Sequence, residues 1–166
     1  LATEADDLAG LGASPHAQWR ALHERVVALG PRVRVAQLKS GLAGRGIQRV
    51  PSFALGTETS LRKLLPQDCS YSTAPALSLQ CARRERESGQ VVVASLGETV
   101  NAVRVDWSEL KHTGGPGIGR DAVEVHRVGY VTTRTPVYDV DHVGRLPDPL
   151  MPLTNFDVPA NEIQPL

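Results

Sequence analysis

The sequence is short of aromatic side chains, which make up 4% of it, and it holds only two cysteines and one methionine. So few rings argue against a surface built mainly from stacking platforms, whether for bases or for sugar faces. Two thiols do not make a disulfide framework. Cys69 and Cys81 can pair, but Cys81 alternates with Leu77 and Leu79 and reads as a small buried hydrophobe. There is no excess of one charge: Lys+Arg and Asp+Glu are 18 each, so no net field steers nucleic acid or an anionic membrane to the chain. No apolar run approaches the ~20 residues of a membrane span. The five histidines, at 16, 23, 112, 126 and 142, fall in no zinc spacing. No glycine pattern follows a strand and opens a helix, so a nucleotide loop is also missing.

What is present is a change of period along the chain. Ser14 before Pro15 is a helix start, and Trp19, Leu22, Val26 and Leu29 follow at three- and four-residue steps. Gly30-Pro31 predicts a stop, and a second helical run over 33–42 then makes a hairpin. Beyond Pro51, alternation predicts short strands over 76–81, 90–95, 103–107 and 122–133, the last with a bulge near Arg127. Gly89, Gly97 and the 114–117 glycine cluster mark turns. From Arg145 onward, Pro147, Pro149, Pro152, Pro159 and Pro165 are too dense for a sheet interior and predict an extended strap ending in an edge strand. The expected fold is therefore mainly β: a β-sandwich, jelly-roll or immunoglobulin-like, with an N-terminal helical hairpin and a Pro-rich C-terminal strap. Its expected division is a helical preface over 1–50 and the sandwich over 51–166, trimmed at both ends.

The chemical constellations are thin. Asp139, Asp141 and His142 place two carboxylates and an imidazole together, but lack the glycine turn and distal glutamate of a calcium loop. The 83–87 run alternates arginine with glutamate, which cancels most of its field. Asp106 and Glu109 are carboxylates at a strand end and a turn, a spacing that scatters rather than converges an acid pair. Neither cysteine has a neighbour in sequence that would lower its pKa. No catalytic residue, metal site or cofactor is expected.

Several phrases resemble the amino-terminal region of family 123 glycoside hydrolases and related glycosidase-like proteins. Ala82-Arg83-Arg84-Glu85-Arg86-Glu87 followed by Gln90-Val91-Val92-Val93 is similar to that family's strand entry, although Ser88-Gly89 stands where the family places an aromatic residue. Val128-Gly129-Tyr130-Val131 resembles its VGYV strand. The proline-rich phrases 144–150, 156–160 and 161–165 match in order and spacing. The resemblance implies a non-catalytic β-sandwich that packs on and orients a downstream (β/α)₈ barrel with β-N-acetylgalactosaminidase-like activity. A barrel of that kind takes ~250 residues, so no catalytic residue carries over to any position here. Partners expected on this reading are that barrel and a glycan, with neither nucleic acid nor membrane, in a secreted or periplasmic bacterial parent. For a carbohydrate-binding module the candidate sugar contacts are Trp107 and Tyr130. A further reading is a protein-interaction module unrelated to sugars; it requires an exposed apolar stripe at Trp19, Leu22, Val26 and Leu29.

Overall fold

The computed structural model describes residues 15–44, 52–74, 76–134 and 142–166. Helix α1 spans Pro15–Gly44. Ser14, expected to cap it, lies outside the described residues, as do Asp139 and Asp141. The predicted hairpin is absent: α1 runs unbroken through Gly30 and Pro31. An interior proline costs a helix about 3 kcal/mol. Here tertiary contacts oppose that cost. Pro31 is buried, a Cβ on Gly30 would lie 3.3 Å from Cys69 Sγ, and Arg34 sits 5.5 Å over the Tyr71 ring.

The remainder is built from short antiparallel strands: β1 Phe53–Thr59, β2 Gly89–Ser95, β3 Val100–Val103, β4 His126–Thr132, β5 Arg145–Pro152, β6 Phe156–Val158 and β7 Ile163–Pro165. They form three small sheets, β1-β2-β7, β3-β6 and β4-β5. Strand β2 is central because its sequence allows burial on both faces. Val92 and Ala94 point into a cluster with Leu64, Tyr71 and Ile163. Val93 points the other way, into Phe156 and Val158. The first cluster is roofed by the connection from β1 to β2, whose Pro66 carbonyl accepts a 2.8 Å bond from the Ile163 N–H.

The proline-rich segment differs from its expectation. Rather than a strap, it carries β5, β6 and β7, of which β7 is the expected edge strand. Both strands of the β4-β5 ribbon are edges, and edges are where a strand tolerates missing donors. Val128 faces Leu150 but Tyr130 faces Pro147, so Asp148 and Pro149 together oppose Gly129. The bulge thus falls on the proline strand, two residues beyond Arg127. Glycine is required opposite it, since a Cβ at Gly129 would come 2.9 Å from Pro149 Cγ.

Two other expected strands are altered. Residues 76–81 form none, and Cys81 is exposed instead of buried; Leu77 and Leu79 instead lean on Gly89, where a Cβ would meet them at 2.8 and 3.0 Å. The strand predicted over 103–107 has already ended at Val103. Ala102 takes a left-handed φ of 54° there, and its N–H donates to Asp157 Oδ1 at 2.7 Å, which shifts the β3-β6 register. The 114–117 cluster is a turn, closed by reciprocal 2.9 Å bonds between Leu110 and Ile118.

Candidate functional site

An open groove of about 330 Å³ lies between the end of β1, the 76–80 segment and the entry to β2. Its walls mix hydroxyls (Thr57, Thr59, Ser72, Ser78, Ser88) with two carboxylates, Glu58 and Glu87, over a floor that includes Leu77 and Leu79. The outer edge of β1 makes one wall by pairing with Ser72: the Thr57 N–H donates to Ser72 O at 2.8 Å, and Thr57 O accepts from the Ser72 N–H at 3.1 Å. Beneath the rim, Gln90 is buried, and its amide donates to Thr59 O at 2.6 Å and Arg62 O at 2.7 Å. Arg62 in turn donates to Glu58 Oε2 at 2.9 Å and to Ser70 O at 2.7 Å.

This electrostatic arrangement fixes what Glu58 can do. The Thr59 N–H, 2.9 Å from Oε1, holds its carboxyl below the usual range; burial opposes that shift, and the bond and charge of Arg62 reinforce it. Because its pKa is depressed by folding, the group adds stability above its unfolded pKa, and that contribution fades as pH falls through the folded value. A carboxylate held ionised is an acceptor, not a proton donor. It is unsuited to the general-acid role of a glycosidase, which needs a raised pKa. Glu87 accepts from the Ser88 N–H at 3.1 Å. The groove presents hydroxyls and carboxylates suited to hydrogen bonding with hydroxyl-rich or cationic groups.

The other carboxylate pair does not converge. Asp106 bonds to Arg104 at 2.8 Å, while Glu109 lies exposed on the loop. Cys69 donates to Gln67 O at 3.3 Å, and burial, then Asp68, push its thiol up against a smaller opposing pull from Arg34. That disfavours the nucleophilic thiolate. Both cysteines are free. Among the described residues, no group of three His, Cys, Asp or Glu is placed to hold a metal ion, and no helix is long and apolar enough to cross a membrane.

Neither Trp107 nor Tyr130 lines the groove, and each is engaged by different partners. Trp107, half-buried, donates from Nε1 to Arg120 O at 3.3 Å, with the Arg120 guanidinium 4.7 Å over its ring. Tyr130 donates its hydroxyl to Leu64 O at 3.2 Å and carries Arg145 at 5.0 Å over its ring. Arg145 is itself clamped by Glu162 at 2.8 and 3.0 Å. Burial raises the Tyr130 phenol well above its ordinary pKa, against the pull of Arg145. Tyr130 therefore ties the β4-β5 ribbon to the roof of the first core cluster. Tyr130→Phe is expected to cost about 1 kcal/mol at neutral pH, the worth of one net hydrogen bond. The phenol is neutral in the fold and ionises more readily unfolded, so wild-type stability falls as pH rises above the unfolded pKa. The variant should lose that part of the alkaline decline, and paired thermal melts across the alkaline range check both effects.

The groove residues were not singled out by sequence reasoning. Gln90 looked like the first residue of a strand, and nothing in its neighbours signals two carbonyls waiting 28 and 31 residues away. Glu58 and Arg62 did carry a signal, an opposite-charge pair four residues apart. No family model, curated protein or solved structure matches the chain.

Proposed function

We propose that the chain is a non-catalytic accessory β domain that packs on and orients a glycoside-hydrolase barrel of the kind its sequence phrases resemble. The observation that carries this reading is the apolar surface its sheets leave uncovered. Phe53 and Leu55 are exposed on β1, Val131 on β4, and Leu150 and Met151 on β5. Apolar side chains left exposed on strands of two sheets support a reading in which another body covers part of this surface. On this reading the sheets are parts of a β-sandwich completed against the barrel, and the barrel supplies the acid chemistry that Glu58 is unsuited to supply.

The test compares the longer polypeptide encoded by the parent gene with residues 1–166 on chromogenic N-acetyl-β-galactosaminide and N-acetyl-β-glucosaminide substrates. Turnover by the longer polypeptide alone is the expected result. Turnover by the 166-residue chain, or a longer polypeptide containing no barrel, would overturn the proposal.

A second reading, a carbohydrate-binding module, is favoured by the groove. Hydroxyls, two carboxylates and two leucines offer a sugar both hydrogen bonds and an apolar floor. Trp107 and Tyr130 would contribute to it only through ring surface that Arg120 and Arg145 leave open. Glycan-array binding lost in Glu58→Gln but retained in Trp107→Phe would favour the groove over the rings.

A further inference from the structure

Helix α1 runs for 30 residues, yet few of its described side chains are sheltered. Only Ala21, Gly30, Pro31, Arg34 and Val35 are, and of these Pro31 alone is buried. The apolar seam of Trp19, Leu22, Val26 and Leu29 lies exposed. The described contacts with the β region gather around Gly30, Pro31 and Arg34. Gly30 comes close enough to Cys69 that a Cβ would lie 3.3 Å from its Sγ. Arg34 stands 5.5 Å over the Tyr71 ring and donates to Tyr71 O at 3.4 Å, near the limit of a hydrogen bond. Its Nε is buried and donates to nothing. One further approach brings Lys39 Nζ within 3.5 Å of where a Gly97 Cβ would be. The docking is narrow and imperfectly bonded.

The docked turn is also where the helix is weakest in itself. Glycine and proline are the two poorest helix formers, and Pro31 brings no N–H while its ring crowds the preceding turn. The amides of Arg32, Val33 and Arg34 take their helical acceptors from residues before the proline, so they report whether the helix is continuous there. Contacts that dock α1 are therefore the contacts that keep it unbroken. On the other side of the contact, Cys69 and Tyr71 lead directly into Ser72, whose backbone exchanges two bonds with Thr57 to form the groove wall. The Tyr71 ring also packs against Gly56 of β1. We propose that α1 is a two-state latch on the groove wall. Docked, it is one continuous helix and the 69–72 segment is pinned against β1. Undocked, it breaks at Gly30-Pro31 into two short helices, and the Thr57–Ser72 wall loosens with it. The latch concerns the wall itself, so the proposal stands whatever the groove binds and whether or not the β region meets a barrel.

The test is native-state amide exchange on the whole 166-residue chain, followed residue by residue by NMR. In the wild type the amides of Arg32, Val33 and Arg34 should share one opening equilibrium with those of Thr57 and Ser72, while Val92 of the central strand stays roughly a hundredfold more protected. Gly30→Leu, too large to seat against Cys69, should undock the helix and speed exchange at Thr57 and Ser72 about tenfold, leaving the β4-β5 ribbon unchanged. Arg34→Ala should act in the same direction without adding bulk. Pro31→Ala separates a latch from ordinary packing. Its helix no longer breaks on undocking, so the amides of Arg32, Val33 and Arg34 should slow about tenfold while Thr57 and Ser72 do not slow. The proposal is overturned if the three helix amides are as protected as Val92 in the wild type, or if Thr57 and Ser72 are unmoved in both undocking variants. It is also overturned if protection falls equally in the ribbon, or if all five amides slow together in Pro31→Ala.

Discussion

Gly56→Ala is expected to destabilise the protein by about 3 kcal/mol, the upper range for forcing a methyl group into a packed site. The position is on β1, where Gly56 pairs with Val92 of the central strand and is itself buried. A Cβ there would lie 2.6 Å from the Ser72 carbonyl oxygen and 2.7 Å from Tyr71 Cε2, with Tyr71 Cδ2 closer still. One obstacle is a ring, which can shift. The other is backbone, fixed by the paired bonds between Thr57 and Ser72. At that cost the melting temperature should fall by roughly 6–12 °C. Removing the ring in a Tyr71→Ala background should shrink the penalty without abolishing it, because the carbonyl remains. An unchanged melt for the single variant would mean that β1 is free to move away from the 71–72 segment, and the groove wall would not be a fixed feature.

The second large effect is at Gln90. Replacing it with leucine keeps the volume and removes both N–H donors, so that the Arg62 carbonyl loses its bond and the Thr59 carbonyl keeps only the 3.3 Å bond from the Arg62 N–H. An acceptor left unsatisfied beside a buried side chain costs roughly 1–3 kcal/mol, so a loss of about 2 kcal/mol is expected. The loss should be local before it is global. Hydrogen exchange should speed up across the connection from β1 to β2, where the Thr59–Arg62 turn is anchored, ahead of the β4-β5 ribbon. Uniform loss of protection in both regions would count against Gln90 as an anchor of that connection.

How much of this was legible in the sequence depends on where each residue's partner lies. The β2 run Val91-Val92-Val93 was readable because β-branched residues buried on both faces leave a continuous apolar signature. The apolar seam of α1 was equally plain, since its rule is local. Pro31 misled for the opposite reason: local propensity ends the helix there, and only packing against Cys69 and Tyr71 outweighs it. The alternation of Leu77, Leu79 and Cys81 looked like a strand, but those leucines cover a glycine instead of pairing along a ladder. The prolines of β5 were read as excluding a sheet interior and so as a strap; they do avoid an interior, but by lying in a two-stranded ribbon in which both strands are edges. Behind the groove wall, Gln90 and Gly56 act through atoms that neither sequence pattern nor composition brings near them.

The order of strands in the central sheet also governs how the protein can fold. Strand β2 lies between β1, some thirty residues before it, and β7, some seventy after it, and Leu166 exchanges bonds with Val91 at 2.9 and 3.2 Å. The pairing with β1 can form early, whereas one side of the most buried strand stays open until residues 163–166 have arrived. Contacts so distant in sequence slow the search for the native state. During synthesis, the valine-rich edge of β2 is therefore exposed until about seventy further residues have emerged, and that interval is when self-pairing or chaperone capture competes with folding.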